Sequence, residues 1–233
     1  MTELNERKQT LPMQQMFGSI ARRYELVNSL MSLFQDRGWR DYGVGKLALK
    51  PGDLILDIGT GTGNLVRDVQ QRQPDTHVVA SDLTGEMMRY GVHRSPRDKV
   101  SWVICDAQAL PYAGDSFDGV ISGFLFRNLP DVPLGLSEQY RVLKAGGRMV
   151  SIDTTPPRDN LLKPFIMFYL RVIIPLIGML VTGNLKAYGY LSQSTREYIS
   201  AEKLAELMKA AGFRAVTFAR KTFGAAAIHD AQK

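Results

Sequence analysis

Ile55-Leu56-Asp57-Ile58-Gly59-Thr60-Gly61-Thr62-Gly63 is the stretch that decides the fold of this chain. An apolar run reaches an acidic residue, then turns through three glycines into a helical stretch at residues 64–72. Glycine has no Cβ, so the backbone turns tightly there and lies against a ligand. The helix that follows points its free N–H groups at the same place. The spacing is D-x-G-x-G-x-G, which differs from the G-x-G-x-x-G of dinucleotide folds.

Working outward, acidic residues mark the other strands. Residues 77–81 read as a second strand that ends at Asp82-Leu83, and a carboxylate there accepts hydrogen bonds from two ribose hydroxyls. Residues 100–105 make a third strand, ending at Asp106-Ala107. Residues 117–122 and 146–152 read as strands four and five. Helices are expected at 64–72, 84–93 and 134–143, and this alternation predicts an α/β parallel sheet covered on both faces. Ser200 and Gly212 bracket a helix at 200–211. Residues 215–220 and 222–228 then form a closing pair of strands around Lys221. Ahead of the core, 13–33 carries a helical apolar pattern and 39–49 a second helix. The organisation is therefore cap helices over 1–50 and a core over 51–233, with an apolar insertion at about 156–199.

The chain has 233 residues, enough for one well-buried domain. Its one cysteine, Cys105, excludes an intramolecular disulfide and reads as a small buried hydrophobe. The net charge is +6, yet no Lys/Arg block supports nucleic-acid binding. The N-terminus is polar, with no apolar leader segment. His77 begins strand two, His93 lies near a helix end and His229 ends the last strand, so no metal site is expected.

The stretch LLKPFIMFYLRVIIPLIGMLV at 161–181 is unusually apolar. Arg171 sits in its middle and Pro175 is expected to break its helix, which argues against spanning a bilayer. A lid over an apolar substrate, a patch on the bilayer surface and a buried helix pair all remain open.

The chain resembles the ubiquinone/menaquinone biosynthesis C-methyltransferases, above all the demethylmenaquinone methyltransferases. The resemblance rests on Met16-Phe17-Gly18-Ser19-Ile20-Ala21, then Arg23-Tyr24, Leu26-Val27-Asn28, Asp36 and Trp39-Arg40. It continues through Phe124, Arg127-Asn128-Leu129-Pro130-Asp131, Tyr140-Arg141-Val142-Leu143-Lys144 and Pro175-Leu176-Ile177-Gly178. It implies a class I methyltransferase fold: a seven-stranded, mostly parallel sheet with a C-terminal antiparallel strand and N-terminal cap helices. It implies S-adenosyl-L-methionine as cofactor, held by Tyr24, Asp57, Gly59, Thr60, Gly61, Gly63, Asp82, Leu83, Asp106 and Ala107. Three departures fall at Ile58 to Asn64, at Leu125-Phe126 and at Asp153, which replaces a family glutamate.

The implied reaction is methylation of a ring carbon of a reduced isoprenoid quinone. Arg127 is the candidate to stabilise the developing oxyanion, with a rim salt bridge as its bland alternative. Asn128 is placed to orient the ring hydroxyl, and Asp153 is the candidate base or water-orienter. Asn28 and Trp39, with Tyr24, cap cofactor and substrate. Expected partners are the isoprenoid quinol and a membrane surface met by Lys163, Arg171 and Lys186, with a homodimer left open. The expected location is cytoplasmic, peripheral on the inner face of the membrane. The alternatives are another lipid acceptor such as a phospholipid amine, a non-catalytic cofactor-binding subunit, and a nicotinamide dehydrogenase.

Overall fold

Strand β1 (Leu54–Ile58) is buried on both faces. Ile55 packs with Val66 and Val69, whereas Leu56 and Ile58 pack with Leu136 and Leu204. A strand covered on both sides needs an unbroken apolar run, which is why this segment centres a parallel sheet. The structure, a computed structural model, describes residues 25–96, 98–157, 161, 163–182 and 199–233.

The remaining strands are β2 (His77–Asp82), β3 (Val100–Ile104), β4 (Phe117–Gly123), β5 (Leu143–Thr154), β6 (Arg214–Lys221) and β7 (Ala226–Gln232). They form a seven-stranded sheet in the order β3-β2-β1-β4-β5-β7-β6. The pairs from β3 to β5 are parallel, and β7 runs antiparallel between β5 and β6. This is the expected α/β sheet with its antiparallel C-terminal strand. After β3 the chain crosses to the other side of β1, so the crevice between the carboxyl ends of β1 and β4 is the switch point where such sheets hold ligands.

Helix α1 covers residues 25–31 and α2 is Asp36–Lys46. The sequence places the second helix later, at 39–49; the anchor that starts it is Asp36, bound by the Ser32 hydroxyl at 3.0 Å. Helices α3 (Asn64–Arg72), α4 (Gly85–Val92) and α5 (Val132–Val142) follow the first, second and fourth strands. Asp131 caps α5 by accepting from Leu134 N–H at 2.9 Å. Helices α6 (Lys163–Phe168) and α7 (Ile174–Thr182) are joined by the π-helical turn Tyr169–Ile173, and α8 is Ala201–Ala210. Ser200 caps α8 as expected, accepting from Lys203 N–H at 3.1 Å.

Three expectations change. Pro175 does not break its helix: the π turn just before it widens the spiral, and the helix runs on through the proline into α7. The closing hairpin turns later than Lys221, because Thr222, Phe223 and Gly224 take φ of 48°, 54° and 92°. Two non-glycine residues in the left-handed region leave no sequence signal. His229 lies in the middle of β7 opposite Ser151, not at the strand's end. Among the described residues no helix is long and apolar enough to cross a membrane.

His229 is 1% exposed and its Nε2 lies 2.9 Å from Ala201 O. Burial pushes its pKa below the ordinary 6.5. The folded chain therefore holds it neutral while the unfolded chain takes up a proton as pH falls through 6.5. Its stabilising contribution is present above that pH and lost below it. His229→Leu is expected to cost about 1 kcal/mol at neutral pH, for the lost hydrogen bond, and to flatten the acid-side decline. Urea melts across a pH series measure this, and parallel declines in both proteins would refute it.

Candidate functional site

The glycine turn is fastened from strand β2. Gly59 and Thr60 both donate their N–H to Ser81 O, at 2.7 and 3.0 Å. Gly61 N–H donates to Asp82 Oδ2 at 2.8 Å, and Thr84 N–H donates to Asp82 Oδ1 at 2.8 Å. Gly61 has φ 54° and Gly63 φ 74°, backbone that a side chain strains. At Gly63 a Cβ would also meet the Trp102 ring at 2.7 Å. The turn, the end of β2 and the end of β4 enclose a cavity of about 360 Å³.

Of the cofactor residues expected from the sequence, Gly59, Thr60, Gly61 and Asp82 line this cavity. Leu83, Asp106 and Ala107 line it too, and Asp106 Oδ1 accepts from Gln108 N–H at 2.9 Å. Tyr24 lies outside the described residues. Asp57 and Gly63 stand behind the wall rather than on it. Asp57 is fully buried, and its Oδ2 accepts from the Thr60 hydroxyl at 2.6 Å, so it braces the turn from beneath. Asn28 lines the cavity, but Trp39 turns into the core and donates Nε1–H to the Thr222 hydroxyl at 3.1 Å.

Burial pushes the Asp57 carboxyl up to about 7, against the Thr60 hydroxyl and with the charges of Asp82 and Asp68. The unfolded group titrates near 3.8. The folded state therefore holds the extra proton between those values, and this stabilisation, full below 3.8, is lost as pH rises through about 7. Asp57→Asn keeps an acceptor for Thr60 and is expected to flatten that loss. Thermal unfolding over the same window would show it, and an equally steep decline in the variant would count against it.

Two residues that the sequence reading gave no role also line the cavity. Asp36 and Arg40 lie one helical turn apart and bond at 2.5 Å, and Arg40 Nε reaches Asp68 at 2.6 Å. Their i, i+4 spacing on a cap helix is the signal that marks them. Cys105 is half-buried: it lines the cavity on one side and packs against the core on the other. Among the described residues no cluster of metal ligands occurs.

Beyond the cofactor end, β4 leads into the short turn Phe126–Asn128. Phe126 is fully buried and pins the turn. Asn128 lines the cavity; its amide nitrogen donates to Phe124 O at 2.9 Å, which fixes the orientation of the amide, and its Oδ1 is buried with no partner among the described residues. Arg127 and Asp153 do not line it. Arg127 Nη1 lies 3.9 Å from Asp153 Oδ1 and donates to the Thr154 hydroxyl at 2.9 Å. Both side chains are almost wholly buried, at 5% and 3% exposure. Arg127 is thus held in a buried ion pair rather than standing as an unpaired cation. Burial pushes Asp153 up to about 6, although Arg127 and the backbone N–H of Thr154 oppose it. Among the described residues Arg127 Nε has no partner.

A family model described as the ubiE/COQ5 methyltransferase family matches residues 1–233. The chain is 40% identical over 216 residues to the ubiquinone/menaquinone biosynthesis C-methyltransferase UbiE of Desulfotalea psychrophila, covering 93% of this chain and 88% of that protein. It is 38% identical to a demethylmenaquinone methyltransferase of Deinococcus radiodurans, covering 92% and 90%. Among solved structures it is similar to a SAM-dependent methyltransferase of Thermotoga maritima, with TM-score 0.65, 20% identity and coverage of 95% and 99%. It is also similar to Haemonchus contortus phosphoethanolamine N-methyltransferase 2 in complex with S-adenosyl-L-methionine, with TM-score 0.64, 18% identity and coverage of 83% and 52%. These two likenesses carry the fold alone. With the whole chain matched and the relatives spanned nearly end to end, the chain belongs to the ubiE/COQ5 methyltransferase family.

Proposed function

We propose that this protein methylates a ring carbon of a reduced isoprenoid quinone precursor, with S-adenosyl-L-methionine as donor, while resting on the inner face of the membrane. The observation that carries the proposal is the lining of one cavity. The glycine turn, Asp82 and Asp106 lie at one part of it, and Asn128 lies at another. Three carboxylates (Asp36, Asp82 and Asp106) and one guanidinium (Arg40) line it among the described residues, a balance that suits a cationic donor. The names of the relatives support a quinone acceptor. When bound, the donor supplies an already activated methyl group on a sulfonium.

The chain's own task is then to position the acceptor and favour its phenolate. A phenol has pKa near 10, so about a thousandth is ionised at neutral pH. Raising that to half needs roughly 4 kcal/mol of differential stabilisation. Asn128, on the cavity wall, orients the ring hydroxyl. Arg127, buried behind the cavity wall, favours the developing oxyanion by its charge. Asp153 holds Arg127 in place and, pushed up to about 6 by burial, is the candidate base of the site. Fixed polar groups in a dry site supply stabilisation of this size.

The test is to expose a reduced membrane lipid extract to purified protein and methyl-labelled S-adenosylmethionine, then identify the labelled lipid by mass spectrometry. Label on a quinone ring is the expected result. Label on a phospholipid amine would replace the acceptor, and no label with intact donor binding would favour a non-catalytic role.

A further inference from the structure

Three exposed apolar elements meet at the carboxyl rim of the sheet. In the turn after α1, Leu33 and Phe34 are 60% and 64% exposed, with φ of 53° and 61°. In the β6–β7 turn, Phe223 is 73% exposed with φ 54°. Along α6, the π turn and α7, the exposed apolar side chains include Phe165, Phe168, Val172, Leu176 and Met179. Bulky non-glycine residues rarely take the left-handed region. Here that backbone conformation presents large apolar side chains to solvent. A contiguous surface of this kind marks an interaction site.

Hydrogen bonds fasten the elements to one another. The Thr222 hydroxyl donates to Gln35 Oε1 at 2.5 Å and accepts from Trp39 Nε1. The Tyr169 hydroxyl donates to Met31 O at 3.1 Å, tying the long helix to the end of α1. Ala226 pairs with Thr154 at the carboxyl end of β5, so the Phe223 turn stands at the same rim as Arg127 and Asp153.

Charge chooses the occupant. Lys163 and Arg171 lie on α6 and the π turn, while Arg37 and Lys221 flank the two turns, Lys221 with its Nζ 3.8 Å from the centre of the Tyr42 ring. Residues 161–182 and 221–225 contain no acidic residue, and Asp36 is 4% exposed and bound to Arg40. Apolar fingers with cations beside them suit an anionic bilayer, which accepts scattered insertions without a matching shape. We infer that Leu33, Phe34, Phe223 and the exposed side chains of α6–α7 form a docking face that inserts into an anionic membrane with the carboxyl rim turned toward the lipid. The inference deepens the proposed quinol reading, since it says how the site meets a lipid acceptor.

The experiment is flotation of the full chain with vesicles of phosphatidylcholine alone, or of phosphatidylcholine mixed with phosphatidylglycerol. The protein is expected to float with the mixed vesicles at low salt and to release as salt rises. Phe34→Ser/Phe223→Ser is expected to lose about tenfold or more in vesicle affinity, with donor affinity unchanged. Leu134→Ser, an exposed apolar residue on α5, should float like the unmodified chain. In a second variant, Phe34→Trp, indole emission should shift to the blue and be quenched by brominated acyl chains. The inference is overturned if the unmodified chain fails to float at low salt, if the double variant floats equally well, or if Phe34→Trp emission ignores the vesicles. It is also overturned if the double variant converts a lipid-free dimer to a monomer, which would make this face a self-interface. Methylation of a detergent-dispersed quinol without flotation would spare the quinol reading and end the docking one. Flotation lost in the double variant, with no quinol ever labelled, would do the reverse.

Discussion

Asp82→Asn is expected to weaken donor binding by about a hundredfold, measured by titration calorimetry with S-adenosylmethionine. The native carboxylate accepts two backbone N–H groups, Gly61 on one oxygen and Thr84 on the other, each at 2.8 Å. An amide offers only one acceptor, so its NH₂ must face one of those donors. A hydrogen bond to a charged group contributes about 1.5–3 kcal/mol, and an unpaired buried donor adds to the loss. The lost bonds leave the glycine turn misplaced for the donor, and the amide is also a poorer acceptor for its hydroxyls; together these are set at roughly 3 kcal/mol of binding, which is the hundredfold stated. The strand ladder of β1 and β2 does not pass through this side chain, so the fold should survive. An unchanged dissociation constant would remove Asp82 from the cofactor site and with it the assignment of the cavity.

The fold was legible where local chemistry repeats. Asp57, Asp82 and Asp106 each stand at or near the end of a parallel strand, and alternating apolar runs set the order between them. The first of the glycine loop's helices, Asn64–Arg72, falls at its expected residues. What stayed hidden depends on contacts across the sequence. Arg127 and Asp153 are 26 residues apart and meet only because β4 and β5 lie side by side. Asp57 reads like an exposed ligand residue, yet the turn folds over it and burial shifts its titration. The hairpin boundary moved because Thr222 and Phe223 adopt a backbone conformation that their side chains disfavour. Pro175 misled for the opposite reason: its usual effect was absorbed by a local widening of the helix. Within the site, Asp36 and Arg40 carried a readable i, i+4 spacing, but only their place beside Asn28 and Asn64 links them to the cavity.

Arg127→Ala should separate two roles that one buried pair combines. Turnover is expected to fall about a hundredfold or more, the usual cost of losing one group that stabilises a developing oxyanion. Donor affinity should stay unchanged, because Arg127 does not line the cavity. Stability should also fall, by about 3 kcal/mol, since Asp153 loses its counter-charge at 3% exposure. Asp153 already titrates near 6 through burial, with Arg127 holding it down. Without the guanidinium its folded pKa moves further up, so the stability of the variant should decline as pH rises from 3.8 toward and past neutrality. A drop in turnover alone would therefore be ambiguous. Adding Asp153→Asn removes the uncompensated charge and should restore much of the melting temperature and flatten the pH slope. If turnover recovers together with stability, Arg127 is a structural partner of Asp153 and the oxyanion role falls. If stability recovers and turnover does not, the loss belongs to the action of Arg127 or Asp153 on the reacting acceptor rather than to the fold.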